Sequence, residues 1–176
     1  MEKAYLQVYT GDGKGKTTAA LGLGLRAVGS GLKVIMYQFL KGVHSGELNS
    51  VPSLGDRFSI VRLGKREKFF WHLDDKEKEA LKNELQSELE QVRAALSESA
   101  CDIIILDEIF GALHANLLTL EDLMGLIDSR PPGMEMILTG RGAPAAVIKK
   151  ADLVTEMLCI KHYFSNGVPA RNGIEK

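Results

Sequence analysis

A glycine-rich stretch near the start of the chain, TGDGKGKTT at residues 10–18, constrains the fold more than any other feature. It follows an apolar run from Tyr5 to Tyr9 and precedes a segment with helical character. A strand, a glycine-rich turn and a helix in this order form the context of a phosphate-binding loop. The usual pattern begins with glycine, whereas this chain has Thr10 there. We predict a strand–loop–helix unit that binds phosphate despite this departure.

The residue types in this loop suit an anionic ligand. Glycines at positions 11, 13 and 15 permit unusual backbone angles, so successive N–H groups can face one phosphate. Lys16 offers a positive charge near the N-terminus of the following helix, and Thr17 can ligate Mg²⁺. A glycine-rich turn without a ligand is the alternative, but the flanking strand and helix favour binding. The predicted nucleotide-contacting set is Thr10, Gly11, Asp12, Gly13, Lys14, Gly15, Lys16, Thr17 and Thr18.

Five more strand-like apolar runs follow the first one along the chain. They cover residues 34–40, 58–63, 103–106, 136–139 and 153–160. Helical patterns lie between several of them, and this alternation predicts an α/β fold. We expect a P-loop (RecA-like) architecture, a mostly parallel sheet of about six strands flanked by helices. No linker divides the chain, so we expect residues 1–176 to form a single nucleotide-binding domain.

Two helices can be placed from their caps and their periodicity. The longer is predicted from Asp75 to Glu98, with Asp74 as its cap and Glu77 completing a capping box. Its charged residues, Glu88 among them, are predicted to form a solvated face. Its apolar stripe is Leu81, Leu85, Leu89, Val92 and Leu96. The second helix is predicted to start after Thr119 and to run to about residue 128.

Two longer segments lie between these elements and are predicted to be loops. Residues 41–56 are rich in glycine, serine and asparagine, and residues 64–74 contain the aromatic run FFW. Both follow predicted strands, so both are expected at the carboxyl edge of the sheet, where α/β proteins bind ligands. Long loops within a compact domain are often functional.

Charge and composition exclude several classes of function. The chain has 22 basic and 23 acidic residues, a net charge of −1, which gives no footprint for nucleic acid or an anionic membrane surface. The first residues do not predict a signal peptide, and the apolar runs are far shorter than a membrane span. Cys101 and Cys159 adjoin apolar stretches and are predicted to be reduced, buried thiols. We therefore expect a cytoplasmic protein.

An acidic pair provides a partner for the phosphate loop. The stretch CDIIILDE at 101–108 is an apolar strand that ends in Asp107 and Glu108. With Thr17, these carboxylates predict a Mg²⁺–nucleotide site, because Mg²⁺ binds oxygen ligands and phosphates together. The spacing does not decide whether Asp107 or Glu108 binds the metal.

Arg141 follows another predicted strand, in the stretch ILTGRG at 137–142. Its guanidinium is suited to a phosphate or to a leaving group. A surface turn with Arg141 paired to an acid is the alternative, and the sequence does not decide between the two.

At this point the sequence closely resembles one family, the P-loop-type ATP:corrinoid adenosyltransferases. The order and spacing of several motifs carry the resemblance, which spans nearly the whole chain. They are TGDGKGKTTAALG at 10–22, RAVGSGLKV at 26–34, QFLKG at 38–42, ILDE at 105–108, LTGRG at 138–142, DLVTEM at 152–157 and KHYFSNGVPARNGIE at 161–175. The family loop also begins with threonine, so Thr10 belongs to its signature.

The resemblance implies adenosyl transfer rather than phosphoryl transfer. The cobalt of cob(I)alamin or a related corrinoid attacks the ribose 5′-carbon of ATP, and triphosphate leaves. In this reading Lys16, Glu108 and Arg141 are catalytic, and Lys41 matches a family segment near the nucleotide. None of the four histidines is assigned a role.

The family also implies a corrinoid site and partners. Phe69 and Trp71 match an aromatic loop that shields the lower face of the corrinoid, with plain core packing as the alternative. An electron-donating flavoprotein and a homodimer are expected. Many members carry a segment before the first strand that covers the site of a partner subunit. Here the first strand begins at about residue 4, so we expect that lid to be absent.

Two other functions remain open from the residues themselves. A RecA-type ATPase would use Glu108 to polarise water and Arg141 as a finger, and would release inorganic phosphate. A non-catalytic nucleotide- or corrinoid-binding module would leave ATP intact. The phosphate product distinguishes all three.

Overall fold

Six parallel strands form one sheet in the computed structural model, which describes residues 2–65 and 70–175 and, of Trp71, only the backbone. The strand order is β3-β2-β4-β5-β1-β6. The strands are β1 (Leu6–Thr10), β2 (Val34–Phe39), β3 (Phe58–Leu63), β4 (Ile103–Asp107), β5 (Glu135–Thr139) and β6 (Leu153–Glu156). Every adjacent pair runs parallel. This confirms the predicted α/β fold with a parallel sheet of six strands.

Helices cover both faces of the sheet. They are α1 (Lys16–Gly29), α2 (Glu47–Ser50), α3 (Asp75–Ser97), α4 (Ile109–His114), α5 (Leu120–Asp128) and α6 (Ala145–Lys150), with 3₁₀ segments at Val51–Arg57, Phe70–His72 and Tyr163–Asn166. Buried residues of α1 pack with one face, and those of α3, α4 and α5 pack with the other. The two central strands, β4 and β5, are therefore buried along their full lengths.

The predicted helix caps are present. The Asp74 carboxylate accepts a hydrogen bond from the backbone N–H of Glu77, and the Glu77 carboxylate accepts one from the backbone N–H of Asp74. Thr119 and Asp122 form the same reciprocal box at the start of α5. All five residues of the predicted apolar stripe on α3 are buried. The prediction that Glu88 belongs to a solvated face of α3 was wrong. Glu88 is half-buried and accepts a 2.6 Å hydrogen bond from the backbone N–H of Gly64.

Two expectations about segment boundaries were wrong. The last strand ends at Glu156 instead of residue 160, because its neighbour β1 ends at Thr10, where the glycine loop begins. The segment after β2 is not a plain loop, since α2 and a 3₁₀ helix occupy most of it. These helices are too short for a helical period to show in the sequence.

The sheet positions the site through its carboxyl edge. Asp107 and Thr139 are the last residues of the neighbouring strands β4 and β5, and both are fully buried. The glycine-rich loop leaves β1, the next strand along, at the same edge. Ligands of open α/β sheets bind at this edge.

Candidate functional site

The glycine-rich loop is closed around its own lysine. Lys16 is only 6% exposed, and its Nζ donates to the carbonyl oxygens of Gly11 at 2.6 Å and Gly13 at 2.8 Å. Gly11 and Gly15 have φ values of 93° and 124°, which a residue with a side chain rarely adopts. The loop therefore has the curvature of an anion nest, with α1 beginning at its end.

The chain after β6 lies across this loop. Met157 accepts a 2.7 Å hydrogen bond from the N–H of Gly13, and its own N–H donates to the carbonyl of Thr10 at 2.8 Å. A Cβ built on Gly13 would lie 2.6 Å from the Met157 oxygen and 2.7 Å from that of Leu158. Position 13 therefore needs glycine because another backbone crosses it.

Asp107 is the most completely enclosed acid of the site. It is fully buried, and its Oδ1 accepts hydrogen bonds from Thr17 Oγ1 at 2.9 Å and Thr139 Oγ1 at 2.7 Å. Its Oδ2 lies 3.4 Å from Lys41 Nζ and 3.5 Å from Gln38 Nε2. A buried charge needs such partners. The predicted association of Thr17 and Asp107 is thus present as a direct contact.

Glu108 occupies a different environment beside it. Its backbone adopts a left-handed conformation, φ 60°, at the start of α4, and its N–H donates to Thr139 Oγ1 at 2.9 Å. Burial and the neighbouring charge of Asp107 raise the pKa of Glu108, while Lys16, Lys41 and Arg141 act in the opposite direction. Unlike Asp107, Glu108 lines the cavity described below. Glu108 is therefore accessible from the cavity and Asp107 is not, a difference that the sequence could not reveal.

Lys16 lies within this set of charges. Burial lowers the pKa of its ammonium group, with Glu108 opposing that effect and Arg141 adding to it. Arg141 is exposed and lines the same cavity. The predicted catalytic residues Lys16, Glu108 and Arg141 are thus close enough to influence one another electrostatically.

Two further residues complete the acidic network, and no role was predicted for them. Gln38 Nε2 donates to Glu47 Oε1 at 2.9 Å, and Lys41 Nζ lies 3.1 Å from the same oxygen. Burial alone would raise the pKa of Glu47, but hydrogen bonds, that of Gln38 foremost, and the charge of Lys41 hold it at about 2. Gln38 and Lys41 thereby join Glu47 to Asp107. A contact between the segment after β2 and the end of β4 has no signal in local sequence.

One cavity of about 1180 Å³ joins these groups. The residues predicted for the nucleotide that line it are Asp12, Gly13, Lys14, Gly15, Lys16, Thr17, Thr18, Lys41, Glu108 and Arg141. Thr10, Gly11 and Asp107 do not line it, although Gly11 and Asp107 are hydrogen-bonded to residues that do. Phe69 and the side chain of Trp71 lie outside the described residues, whereas Phe70 between them lines the cavity.

Part of the cavity lining comes from the end of the chain. We call it the C-terminal wall; its cavity-lining residues are Cys159, His162, Phe164, Ser165, Gly173, Ile174 and Glu175. Phe164 and Ile174 are 72% and 54% exposed. Within this segment Glu175 accepts hydrogen bonds from Tyr163 and Arg171, and the Arg171 guanidinium lies 4.7 Å from the centre of the Tyr163 ring. The sequence marked this segment only through the family resemblance.

The two cysteines differ from the prediction in one respect. Cys101 is buried, and burial raises the pKa of its thiol to about 11. Cys159 is exposed and borders the cavity, so it is not the buried thiol that its apolar neighbours predicted. The apolar run around it belongs to the wall of a site instead of the core.

Two absences hold for residues 2–65 and 70–175. No group of three or more His, Cys, Asp or Glu side chains is arranged to hold a metal by itself. No helix within these ranges is long and apolar enough to cross a membrane.

Fold and site together define a class: α/β proteins in which a glycine-rich anion loop meets an acidic pair at the carboxyl edge of a parallel sheet. The sequence model of the family described as ATP:corrinoid adenosyltransferase BtuR/CobO/CobP matches residues 2–175. The chain belongs to this family of transferases.

Curated relatives agree with that assignment. The chain is 35% identical to a corrinoid adenosyltransferase of Escherichia coli K12, over 99% of this chain and 86% of that protein. It is 35% identical to a corrinoid adenosyltransferase of Pseudomonas aeruginosa, over 99% and 84% of the two chains. It is 34% identical to corrinoid adenosyltransferase CobA of Salmonella typhimurium, over 99% and 86%.

Proposed function

We propose that this chain, over residues 1–176 as one domain, transfers the 5′-deoxyadenosyl group of ATP to the cobalt(I) of a reduced corrinoid. The observation that carries the proposal is the shared cavity of about 1180 Å³, which is lined both by the glycine-rich loop and by the C-terminal wall with its exposed Phe164 and Ile174. Sites for one small molecule usually measure about 300–1,000 Å³. The size of the cavity and the two kinds of lining residue suit a triphosphate together with a second, larger substrate.

The reaction balances without a further reactant. The electron pair of cobalt(I) forms a bond to the ribose 5′-carbon, and the bond from that carbon to the phosphate oxygen breaks. Triphosphate leaves with the electron pair of the broken bond. Negative charge therefore accumulates on the phosphates, where preorganised donors stabilise a transition state most.

The loop residues would bind and stabilise the leaving triphosphate. Lys16 Nζ now contacts two loop carbonyls, and phosphate oxygens would replace them as its partners. Lys14 and Arg141 border the same cavity and add positive charge to its phosphate side. Such charges favour loss of triphosphate whichever end of it lies deepest in the loop.

The oxygen donors at the base of the loop fit Mg²⁺. Thr17 Oγ1 and the carboxylate of Asp107 are already in contact, and the carboxylate of Glu108 is the one open to the cavity. Mg²⁺ typically takes one or two carboxylates together with substrate phosphates, so a site without three acids suits it. When bound, Mg²⁺ would neutralise charge on the triphosphate, and Thr17, Asp107 and Glu108 would hold it.

The corrinoid would lie against the apolar side of the cavity. Phe70 lines the cavity. Its neighbours in the sequence, Phe69 and Trp71, are the two residues that we propose as a shield for the corrinoid. We expect Trp71→Ala to slow corrinoid adenosylation more than it weakens ATP affinity. An equal loss of ATP affinity, measured by calorimetry, would contradict this role.

Assembly and the source of electrons are further parts of the proposal. One edge of β6 is unpaired within residues 2–65 and 70–175, and Leu153 and Val154 on it are 43% and 41% exposed. Such an edge supports a homodimer, because unpaired strands readily find partners. We also propose a cytoplasmic location, a flavoprotein that reduces the corrinoid, and a place in adenosylcobalamin synthesis or salvage. Analytical ultracentrifugation tests the homodimer, and a Leu153→Lys variant should weaken it.

An anaerobic assay with chemically reduced cob(I)alamin, Mg²⁺ and ATP tests the activity. We expect the cob(I)alamin absorption to give way to that of adenosylcobalamin, with intact triphosphate in equal amount. Reactions without ATP, and with Lys16→Ala, are the controls. Inorganic phosphate without a cobalt–carbon bond would replace the proposal with an ATPase. Binding of ATP without any product would leave a binding module.

A further inference from the structure

The turn that carries Arg141 is packed tightly against α4. Arg141 lies between Gly140 and Gly142, whose φ values are 143° and 61°. A Cβ built on Gly140 would lie 2.8 Å from Phe110 Cβ, and one on Gly142 would lie 2.7 Å from His114 Cε1. Phe110 and His114 are four residues apart on α4 and support the turn from one side.

The other side of the same turn is hydrogen-bonded to the end of β1. Thr10 Oγ1 accepts a 3.1 Å hydrogen bond from the N–H of Ala143, which lies 133 residues away along the chain. The N–H of Gly140 donates to the carbonyl of Tyr9 at 3.2 Å. Thr10 is 7% exposed and does not line the cavity. A glycine at position 10 would leave the Ala143 N–H without this acceptor.

We propose that Thr10 is a positioning residue for Arg141. Its hydroxyl joins the first residue of the phosphate loop to the turn, so the charge of Arg141 is fixed relative to that of Lys16. This gives the departure from the usual glycine a physical purpose. The inference rests on the proposed function only in assuming that Arg141 acts on the triphosphate.

Two variants separate the hydroxyl from the shape of the side chain. Thr10→Val removes the acceptor and keeps the volume, whereas Thr10→Ser keeps the acceptor. Because the leaving triphosphate gains charge in the transition state, we expect Thr10→Val to lower kcat about 10- to 100-fold with little change in the KM for ATP. Thr10→Ser should restore most of that loss.

Hydrogen exchange tests the contact without any activity. The Ala143 amide should exchange slowly in the wild-type protein and in Thr10→Ser, and faster in Thr10→Val. Unchanged exchange in Thr10→Val would refute the hydrogen bond. Faster exchange with an unchanged kcat would refute the positioning role. A wild-type protein that makes no adenosylated corrinoid would refute the proposed function, while Ala143 exchange would still test the hydrogen bond.

A second pair of variants tests the support from α4. Gly142→Ala and Gly55→Ala place a side chain at similar positive φ values, 61° and 76°, but a Cβ on Gly55 would meet nothing within 4 Å. Gly142→Ala should lower kcat, and Gly55→Ala should lower only stability. Adding His114→Ala to Gly142→Ala should restore part of kcat, because it removes the close contact. Equal loss of kcat in both glycine variants would refute the support from α4.

Discussion

The phosphate loop and the C-terminal wall face the same cavity but are built in different ways. The loop lysine and one of the two acids are enclosed: Lys16 is 6% exposed, Asp107 is fully buried, and each is bound by groups from its surroundings. The wall is open, with Phe164 72% exposed. A triphosphate is highly charged, so the donors proposed to bind it would gain from being held in place. A large apolar substrate needs area, which an exposed surface offers.

The two regions also differ in what holds them. Buried contacts fix the loop, among them the backbone hydrogen bond from Gly13 to Met157. The wall depends on an exposed group, Tyr163, Arg171 and Glu175. Exposed ion pairs contribute little to stability, whereas buried polar groups are costly to leave unpaired. Substitutions in the loop should therefore lower both the free energy of unfolding and kcat. Substitutions in the C-terminal wall should change only the KM for the corrinoid.

The largest effect is expected for Lys16→Ala. The lysine holds the loop closed and is proposed to bind the phosphates, so its loss should lower kcat by about 10²–10³-fold and weaken ATP binding. Lys14→Ala, an exposed charge on the same loop, should cause a smaller loss. Steady-state adenosylation and ATP calorimetry measure both. Normal activity in Lys16→Ala would refute the role assigned to the loop.

Gly13→Ala should come next, because its Cβ would lie 2.6 Å from the Met157 carbonyl. Overpacking of two backbones should destabilise the protein by about 1–3 kcal/mol, as measured by thermal unfolding. Gly22→Ala, with nothing within 4 Å of its Cβ on α1, serves as the control and should be neutral or stabilising. Equal melting temperatures for the two variants would mean that the backbone at Met157 shifts at little cost to accommodate a side chain at position 13.

Glu47→Gln tests the buried network through pH. The pKa of Glu47 lies at about 2, below its ordinary value of 4.5. Its stabilising contribution is therefore complete above pH 4.5 and is lost as the pH falls toward 2. Urea unfolding at pH 7 should show a loss of about 1–3 kcal/mol, and the difference from wild type should shrink near pH 3. Glu79→Gln, an exposed position on α3, should show neither effect.

Glu175→Gln should have the smallest effect on stability. Hydrogen bonds from Arg171 and Tyr163 hold the pKa of the Glu175 carboxyl at about 2, but the Arg171 side chain that pairs with it is 49% exposed. We expect an unchanged melting temperature and a severalfold rise in the KM for the corrinoid, with the KM for ATP unchanged. The exposed Glu98→Gln variant is the control. A rise in the KM for ATP alone would assign the C-terminal wall to the nucleotide instead.

Much of the fold followed from short-range patterns. Asp74 and Thr119 were predicted as helix caps, and both are. All six apolar runs contribute a strand. A continuous apolar run between turns has few other ways to be buried, which accounts for β4 and β5, whereas β6 is an exposed strand at the edge of the sheet. Short helices such as α2 and α4 were missed, since four or six residues give no readable period.

The candidate site was predicted only in part. The sequence indicated the phosphate loop, the acids after β4 and the turn at Arg141, and the structure brings these segments to one cavity. It gave no sign that Gln38 and Glu47 join the acidic network or that Asp107 is enclosed while Glu108 is open. Those features depend on contacts between distant strands.

The sequence by itself determined the local units of this protein: its strands, its long helices, its glycine loop and the residue types beside each strand end. The tertiary structure alone decided the strand order, the crossing of Met157 over the loop, and the hydrogen bond from Ala143 to Thr10. The physical reason is the distance along the chain over which each kind of interaction acts. Periodicity and capping act over a few neighbouring residues, whereas the site is assembled from segments that only a folded sheet brings together.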